Sequence, residues 1–227
     1  NNKLAFINLE DSIQVQKAAD LKFFSFGIKK ENADVNIIDV KANPFVEINF
    51  SNLIIKSHLI GLYNANNINA ALTIGKYFGV DDIAIKEGLE SYIPENNRSQ
   101  LLSKGTNQII LDAYNANPSS MKVAIENFLQ LDNPNKIMIL GDMFELGDAS
   151  TQEHLEVLKL LLDKNEIQCF FIGSAFYANK TVTTHFHFYE TFDSFSEYLK
   201  EIKIVNSVVL IKGSRGMALE RTLQFFS

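Results

Sequence analysis

Tryptophan is absent from this sequence, proline occurs only four times, and cysteine occurs once, as Cys169. A single cysteine excludes an intrachain disulfide, so the fold is not a small disulfide-stapled scaffold. No apolar run approaches the roughly 20 residues that a membrane-spanning helix needs, and no charged segment with an apolar run after it stands near the amino terminus. We therefore expect a cytoplasmic protein that does not bind a membrane.

Positive charge is also scarce. Lys and Arg total 21 against 27 Asp and Glu, which gives a net charge of −6. A protein that binds nucleic acid normally presents a basic surface, so we expect no nucleic-acid partner. Hydrophobic residues make up 46% of the chain, which is enough to bury a sizeable core. The sequence thus predicts a globular protein of one large or two ordinary domains.

The first part of the chain is predicted to form short strands followed by two helices. Short apolar or alternating runs, separated by Gly, Asn and Pro, are typical of strands. These runs cover residues 3–7, 23–26, 35–40, 45–50 and 53–55. An apolar stripe predicts a helix over residues 64–78, and Asp81 is predicted to cap the next helix.

After a polar stretch at residues 94–100, which we interpret as a hinge, strands alternate with helices. The predicted strands cover residues 109–111, 137–140, 169–172 and 208–211. Asn117 and Pro118 are predicted to begin one helix, a capping box at residues 150–153 another, and a last helix covers residues 217–226. Strands that alternate with helices in this way predict an α/β fold with a parallel sheet.

Three loops that directly follow predicted strands carry unusual polar residues. They cover residues 112–118, 141–147 and 212–216. In an open parallel sheet, ligands bind beyond the carboxyl ends of the strands. In the last loop Lys212, Ser214 and Arg215 precede a predicted helix, whose amino-terminal N–H groups attract anions. This loop is therefore either a site for a carboxylate or phosphate, or a solvated turn with two surface cations.

Other polar residues allow both a functional and a purely structural interpretation. Asp112, at a strand end, can accept hydrogen bonds from sugar hydroxyls or simply form a turn. Asn64 and Asn67 share a helix face, where their carboxamides can bind adenine or merely begin the helix. Asp142 and Glu145 have no third ligand spaced near them, so the sequence predicts a capped loop there and no metal site.

Five motifs, taken in order along the chain, resemble those of the Mur ligase family. They lie at residues 6–11, 61–71, 111–121, 141–147 and 212–216. The second motif has Tyr63 where the family commonly has His. The third contains Asp-x-Tyr-x-x-Asn-Pro, in the form Tyr-Asn-Ala-Asn-Pro that resembles the member adding D-alanyl-D-alanine. The last two are similar to the family's Gly-Asp-Met-x-Glu-Leu-Gly and Lys-Gly-Ser-Arg loops.

The resemblance implies an α/β fold in two parts. Residues 1–98 would form the later part of a P-loop-type ATPase central domain, and residues 99–227 a C-terminal Rossmann-like ligase domain with a parallel sheet. The motif Gly-x-x-x-x-Gly-Lys-Ser/Thr, which cradles phosphates in a P-loop, occurs nowhere in the 227 residues. We therefore expect the chain to be a fragment of a longer enzyme and to be inactive alone.

The resemblance also assigns site residues and cofactors. The residues that would bind ATP are Asn64, Asn67, Arg98 and Asp112. The residues that would bind substrate are Asn115, Asn117, Lys212, Ser214 and Arg215. ATP and Mg²⁺ are implied as cofactors, with the metal ligands expected upstream of this chain and none within it.

The implied reaction is ATP-dependent amide-bond formation in the synthesis of peptidoglycan precursors. A carboxylate of a UDP-N-acetylmuramoyl-tripeptide becomes an acyl phosphate, which the amine of D-alanyl-D-alanine attacks. The implied partners are these two substrates, and we expect a monomer. Two alternatives stay open: a ligase similar to folylpolyglutamate synthetase, against which the last two motifs speak, and a non-catalytic nucleotide-binding module.

Overall fold

A computed structural model describes residues 4–95 and 97–226 of the chain. The chain divides into two units, Asn1–Ile93 and Pro94–Ser227. The predicted domain boundary after residue 98 stays a prediction. Lys3, which the first predicted strand includes, lies outside the described residues.

The first unit contains two sheets of three strands each. In the parallel sheet, the strands pair side by side in chain order: β1 (Leu4–Asn8), β2 (Lys22–Ile28) and β3 (Val35–Ile37). In the antiparallel sheet the order is β4 (Asp39–Ala42), β5 (Phe45–Phe50) and β6 (Leu53–Ile60). The helices of this unit are α1 (Ser12–Lys17), α2 (Asn64–Tyr77) and α3 (Asp82–Ser91).

Helix α2 packs on the core of the first unit through its apolar stripe. Ile68 and Leu72 are almost fully buried in a cluster that also contains Ile48 and Ile55. The side chain of Asp81 accepts a hydrogen bond from the backbone N–H of Ile83, which confirms it as the cap of α3. The single strand predicted over residues 35–40 is wrong, because the chain passes from the parallel to the antiparallel sheet within it.

The second unit is built on one six-stranded sheet. Its strands are β7 (Gln100–Lys104), β8 (Asn107–Asp112), β9 (Lys136–Gly141), β10 (Gln168–Ile172), β11 (Phe186–Tyr189) and β12 (Val208–Lys212). The strand order is β11-β10-β9-β12-β8-β7, and all neighbours are parallel except β7, which is antiparallel to β8. The helices are α4 (Pro118–Leu129), α5 (Ser150–Leu161), α6 (Ser174–Ala178) and α7 (Phe192–Glu201).

The sheet of the second unit is buried on both faces, as expected for parallel strands that are covered by helices. Every residue of β12 is buried, and its Val209 and Ile211 pack with Phe195 of α7 and with Leu219. The predicted α/β fold with a parallel sheet is therefore confirmed. Strand β7 was not predicted, because the polar stretch that contains Gln100 was interpreted as a hinge.

Of the predicted helix features of the second unit, one is wrong and one takes a different helical form. The capping box at residues 150–153 does not form, because a 3-10 turn at Gly147–Ala149 runs directly into α5 and places Ser150 inside the helix. The last helix, predicted over residues 217–226, forms as two 3-10 segments, Arg215–Met217 and Leu219–Phe225. The predicted start of α4 is confirmed, since Asn117 caps it and forms a capping box with Ser120.

None of the helices within residues 4–95 and 97–226 has the length and apolarity that crossing a bilayer would require.

Candidate ligand-binding site

The adjacent ends of β8 and β12 are joined by a buried ion pair. Lys212 and Asp112 are register partners in these two strands. The Lys212 Nζ lies 2.5 Å from Asp112 Oδ2 and 3.2 Å from the backbone carbonyl of Asn115. The Lys212 side chain is 2% exposed and the Asp112 side chain 17%. The ammonium group of Lys212 is thus directed at protein atoms.

The second carboxylate oxygen of Asp112 is held from the other side. Oδ1 accepts hydrogen bonds from the backbone N–H of Ser99 at 3.2 Å and from its hydroxyl at 3.3 Å. Ser99 is itself buried and has a positive φ of 47°. The orientation of the carboxylate is therefore fixed by both partners.

Ser214 connects three of the loops that follow strands. Its hydroxyl accepts a hydrogen bond from the backbone N–H of Phe144 at 2.8 Å and donates to the carbonyl of Ala116 at 3.4 Å. Its own backbone N–H donates to the carbonyl of Asp142 at 3.1 Å. Because Ser214 is buried, its hydroxyl serves primarily to hold these loops together.

The end of β9 and the loop after β12 also approach each other closely through their backbones, at Gly141 and Gly213. A Cβ added to Gly213 would lie 3.1 Å from the Cα of Gly141 and 2.9 Å from the side chain of Leu219. Glycine at position 213 therefore lets the backbone after β12 pass close to the end of β9.

Asp142 caps a helix. Its two carboxylate oxygens accept hydrogen bonds from the backbone N–H groups of Ala175 and Phe176, both at 2.9 Å, at the start of α6. Gly173, with a φ of 125°, makes this possible, because a Cβ there would lie 2.2 Å from the Asp142 carboxyl carbon. Across residues 4–95 and 97–226, no group of three or more His, Cys, Asp or Glu is placed to hold a metal ion.

His154 fixes the loop that begins with Asp142. Its Nε2 accepts a hydrogen bond from the backbone N–H of Met143 at 3.1 Å, and its Nδ1 lies 2.7 Å from the carbonyl of Ser150. Because a carbonyl can only accept, the proton is on Nδ1 and the ring is the neutral tautomer. The 3.7 Å approach of Nε2 to the Asp142 carboxylate is therefore not an ion pair.

Two exposed arginines lie over one exposed ring beside these loops. The guanidinium carbon of Arg98 is 3.8 Å from the centre of the Tyr114 ring, and that of Arg215 is 5.7 Å from it. Among the residues that the structure describes, no carboxylate lies within ion-pair distance of either arginine. This part of the second unit therefore presents two cations to solvent.

The remaining predicted substrate residues take different places. The Asn117 side chain is used as the cap of α4, although the residue is exposed. Asn115 is exposed, and its side-chain oxygen accepts from the N–H of Ala116 at 2.9 Å. The helix that was predicted to attract an anion near Lys212 is present as two 3-10 segments, Arg215–Met217 and Leu219–Phe225. The anion site itself stays a prediction.

In the first unit, Asn64 and Asn67 are hydrogen-bonded to each other. The Asn67 amide donates to the Asn64 side-chain oxygen at 2.9 Å, and the Asn64 amide donates to the carbonyl of Ile60 at 2.8 Å. Asn64 is buried, whereas Asn67 is exposed. Asn64 thus orients Asn67, and Asn67 presents its carboxamide to solvent.

Residues 97–215 match the family described as Mur ligase, glutamate ligase domain. The chain belongs to the Mur ligase family. A relative from Bacillus subtilis, a UDP-N-acetylmuramoyl-tripeptide–D-alanyl-D-alanine ligase, is 33% identical over 176 residues, which cover 73% of this chain and 38% of the relative. This chain thus spans less than half of the length of that relative.

Two solved structures show the same fold over nearly the whole chain. A MurF crystal structure from Acinetobacter baumannii has a TM-score of 0.80 and 25% identity, covering 99% of this chain and 51% of that one. The MurF ligase from Thermotoga maritima, in complex with ADP, has a TM-score of 0.78 and 24% identity, covering 99% and 53%. The predicted membership in the Mur ligase family is confirmed.

The sequence predicted no role for three residues of this candidate site. Tyr114 stands inside the Asp-x-Tyr motif, so the motif was a signal for it, but no spacing connects it with the arginines. Ser99 follows Arg98 directly and binds Asp112. His154 carries no sequence signal, because its role depends on the packing of α5 against the loop after β9.

Proposed function

We propose that this chain contributes to an ATP-dependent ligase that joins D-alanyl-D-alanine to a UDP-N-acetylmuramoyl-tripeptide through an acyl phosphate, in peptidoglycan precursor synthesis. The 33% identical relative carries this activity in its name. The observation that carries the proposal is the pair of exposed guanidinium groups beside the Asp112–Lys212 ion pair. Phosphates and carboxylates are the groups that arginine recognises best. A cytoplasmic location is part of the same proposal.

The dipeptide carboxylate is assigned to Arg215. Of the two cations at the end of β12 and in the loop after it, Arg215 is exposed and Lys212 is buried against Asp112. An incoming carboxylate therefore meets Arg215, while Lys212 and Ser214 hold the loop in place. Asn115 and Asn117, both exposed, lie in the loop after β8 that Lys212 contacts through the Asn115 carbonyl.

ATP is assigned to residues whose polar atoms remain available. In the first unit, the exposed carboxamide of Asn67 suits the edge of an adenine ring, and Asn64 positions it. In the second unit, Arg98 would bind a phosphate. Asp112 can accept from a ribose hydroxyl, because a carboxylate has about four acceptor positions and Lys212 and Ser99 use three. Mg²⁺ stays an expectation of the family resemblance, and no step is assigned to it.

Calorimetric titration of the purified chain with D-alanyl-D-alanine tests the proposal. We expect binding, and we expect Arg215→Ala to weaken it about tenfold or more, because a charge-assisted hydrogen bond contributes roughly 1.5–3 kcal/mol. Arg221→Ala is the matched control, since Arg221 stacks on Phe192 elsewhere in the unit. Preference for L-glutamate over the dipeptide would favour the folylpolyglutamate-type ligase. Binding of neither ligand would contradict the proposal.

A further inference from the structure

The chain concentrates its arginines on one ring. It contains only three arginines, Arg98, Arg215 and Arg221, and the rest of its 21 Lys and Arg residues are lysines. Two of the three, Arg98 and Arg215, lie over the ring of Tyr114. A planar guanidinium stacks on an aromatic face, which the compact ammonium of lysine does less well. The choice of arginine at both positions therefore matches the ring that both of them approach.

The three segments that carry this cluster are tied together by short polar contacts. The backbone N–H of Tyr114 donates to the carbonyl of Asn97, next to Arg98, at 3.2 Å. Lys212 Nζ donates to the carbonyl of Asn115, and the Ser214 hydroxyl donates to that of Ala116. Tyr114 thus stands between two anchored segments, one leading to each arginine.

Stacking leaves the hydrogen-bonding edge of a guanidinium available. The guanidinium carbons of Arg98 and Arg215 lie 3.8 and 5.7 Å from the ring centre, and a guanidinium that contacts a ring with its face keeps its in-plane N–H groups available for other partners. Within the described residues neither arginine has a carboxylate partner, so two like charges stand close to one ring. An arrangement of this kind becomes favourable when anionic groups bind to it.

We propose that Tyr114 is a positioning residue, whose ring holds Arg98 and Arg215 together so that a phosphate and the carboxylate of the incoming dipeptide bind side by side. The inference rests on the proposed function for the identity of the two anions. It adds a specific consequence for the reaction: the amine of the dipeptide is brought next to the activated phosphorylated acid because both are anchored on one ring.

The Arg Nε–Hε signals in NMR spectra test the arrangement without any ligand. With three arginines the spectrum is simple, and Arg221, stacked 3.9 Å over Phe192, is an internal control. We expect ring-current shifts of the Arg98 and Arg215 signals that Tyr114→Phe preserves and Tyr114→Leu abolishes, with the Arg221 signal unchanged. Loss of the shifts in Tyr114→Phe, or their absence in the unaltered chain, would overturn the inference.

Titrations with inorganic phosphate and with D-alanyl-D-alanine then test the two anions separately. We expect phosphate to move the Arg98 signal, the dipeptide to move the Arg215 signal, and Tyr114→Leu to weaken both about three- to fivefold, as loss of an exposed cation–π contact would. Tyr114→Phe should bind as the unaltered chain does. Equal weakening in both variants would overturn the positioning role. Intact ring-current shifts without dipeptide binding would contradict the proposed function, and with it the assignment of the anions.

Discussion

Lys212 and Asp112 stand opposite each other at the ends of two neighbouring parallel strands, and their Nζ and Oδ2 atoms lie 2.5 Å apart. The pair is shielded from solvent, with the lysine side chain only 2% exposed. Because a buried charge without a partner is costly, each side chain requires the other. The pair therefore fixes the relative position of two loops that carry proposed ligand-binding residues.

Lys212→Met should destabilise the second unit strongly. The substitution removes the partner of a largely buried carboxylate, for which a loss of about 3 kcal/mol in the free energy of unfolding is expected. Urea unfolding followed by circular dichroism measures this loss. Lys159→Met is the matched control, because the Lys159–Glu156 pair is exposed, and an exposed ion pair contributes little to stability. Equal losses in the two variants would show that the Lys212–Asp112 pair is not a structural contact.

Local features of this fold were predictable, because they depend on residues close in sequence. Asn117 and Asp81 cap their helices as predicted, since each cap needs only the following N–H groups. The capping box at Ser150 was not formed, because a preceding 3-10 turn supplies the helix start. Local patterns thus predict that a helix forms more accurately than they predict the residue at which it begins.

The candidate site was predictable only in part. The sequence places Asp112 and Lys212 in loops after strands, but their pairing depends on β12 lying next to β8 in the sheet. That neighbour relation is not visible from alternation of strands and helices. The same holds for Arg98 and Arg215, which meet at Tyr114 from distant parts of the chain. The sequence therefore predicted which residues belong to the candidate site, but not which of them contact each other.

Gly173→Ala should destabilise the second unit by more than about 2 kcal/mol. The φ of 125° is strained for alanine, and its Cβ would meet the Asp142 carboxylate that caps α6. Gly147→Ala is the comparison for a left-handed helical position, since Gly147 has a φ of 52° with open space around it, and should cost about 1 kcal/mol. Thermal unfolding of both variants measures the difference. Equal effects would mean that neither the φ of 125° nor the displacement of Asp142 adds to the loss.

The thiol of Cys169 should be inert in the folded chain and should make folding sensitive to high pH. Burial, with a smaller effect of Glu166, raises the pKa of Cys169 from 9.0 to about 12. Between these values the unfolded chain releases the thiol proton and the folded chain keeps it. Stability is therefore lost as pH rises above about 9, by at most about 1.4 kcal/mol per pH unit.

Two measurements check the Cys169 prediction. A thiol reagent such as DTNB should not react at pH 8 until the chain is unfolded. The free energy of unfolding, followed from pH 8 to 11, should fall less steeply in Cys169→Ala than in the unaltered chain, although lysines and tyrosines ionise in both. Parallel pH profiles, or rapid labelling of the folded chain, would contradict the raised pKa.

Asn64 and Asn67 should separate into a structural and a ligand-binding residue when each is replaced by alanine. Asn64→Ala removes the donor to the buried Ile60 carbonyl, so it should lower the free energy of unfolding by about 1–2 kcal/mol. Asn67→Ala should leave stability within about 0.5 kcal/mol, because the side chain is exposed, and should weaken binding of ADP to the chain about fivefold. Asn66→Ala, at an adjacent exposed position, is the matched control and should change neither quantity. Calorimetry measures the ADP affinity of each variant. If Asn66→Ala and Asn67→Ala change it equally, Asn67 does not bind the nucleotide. The hydrogen bond between Asn64 and Asn67 would then serve only the start of α2.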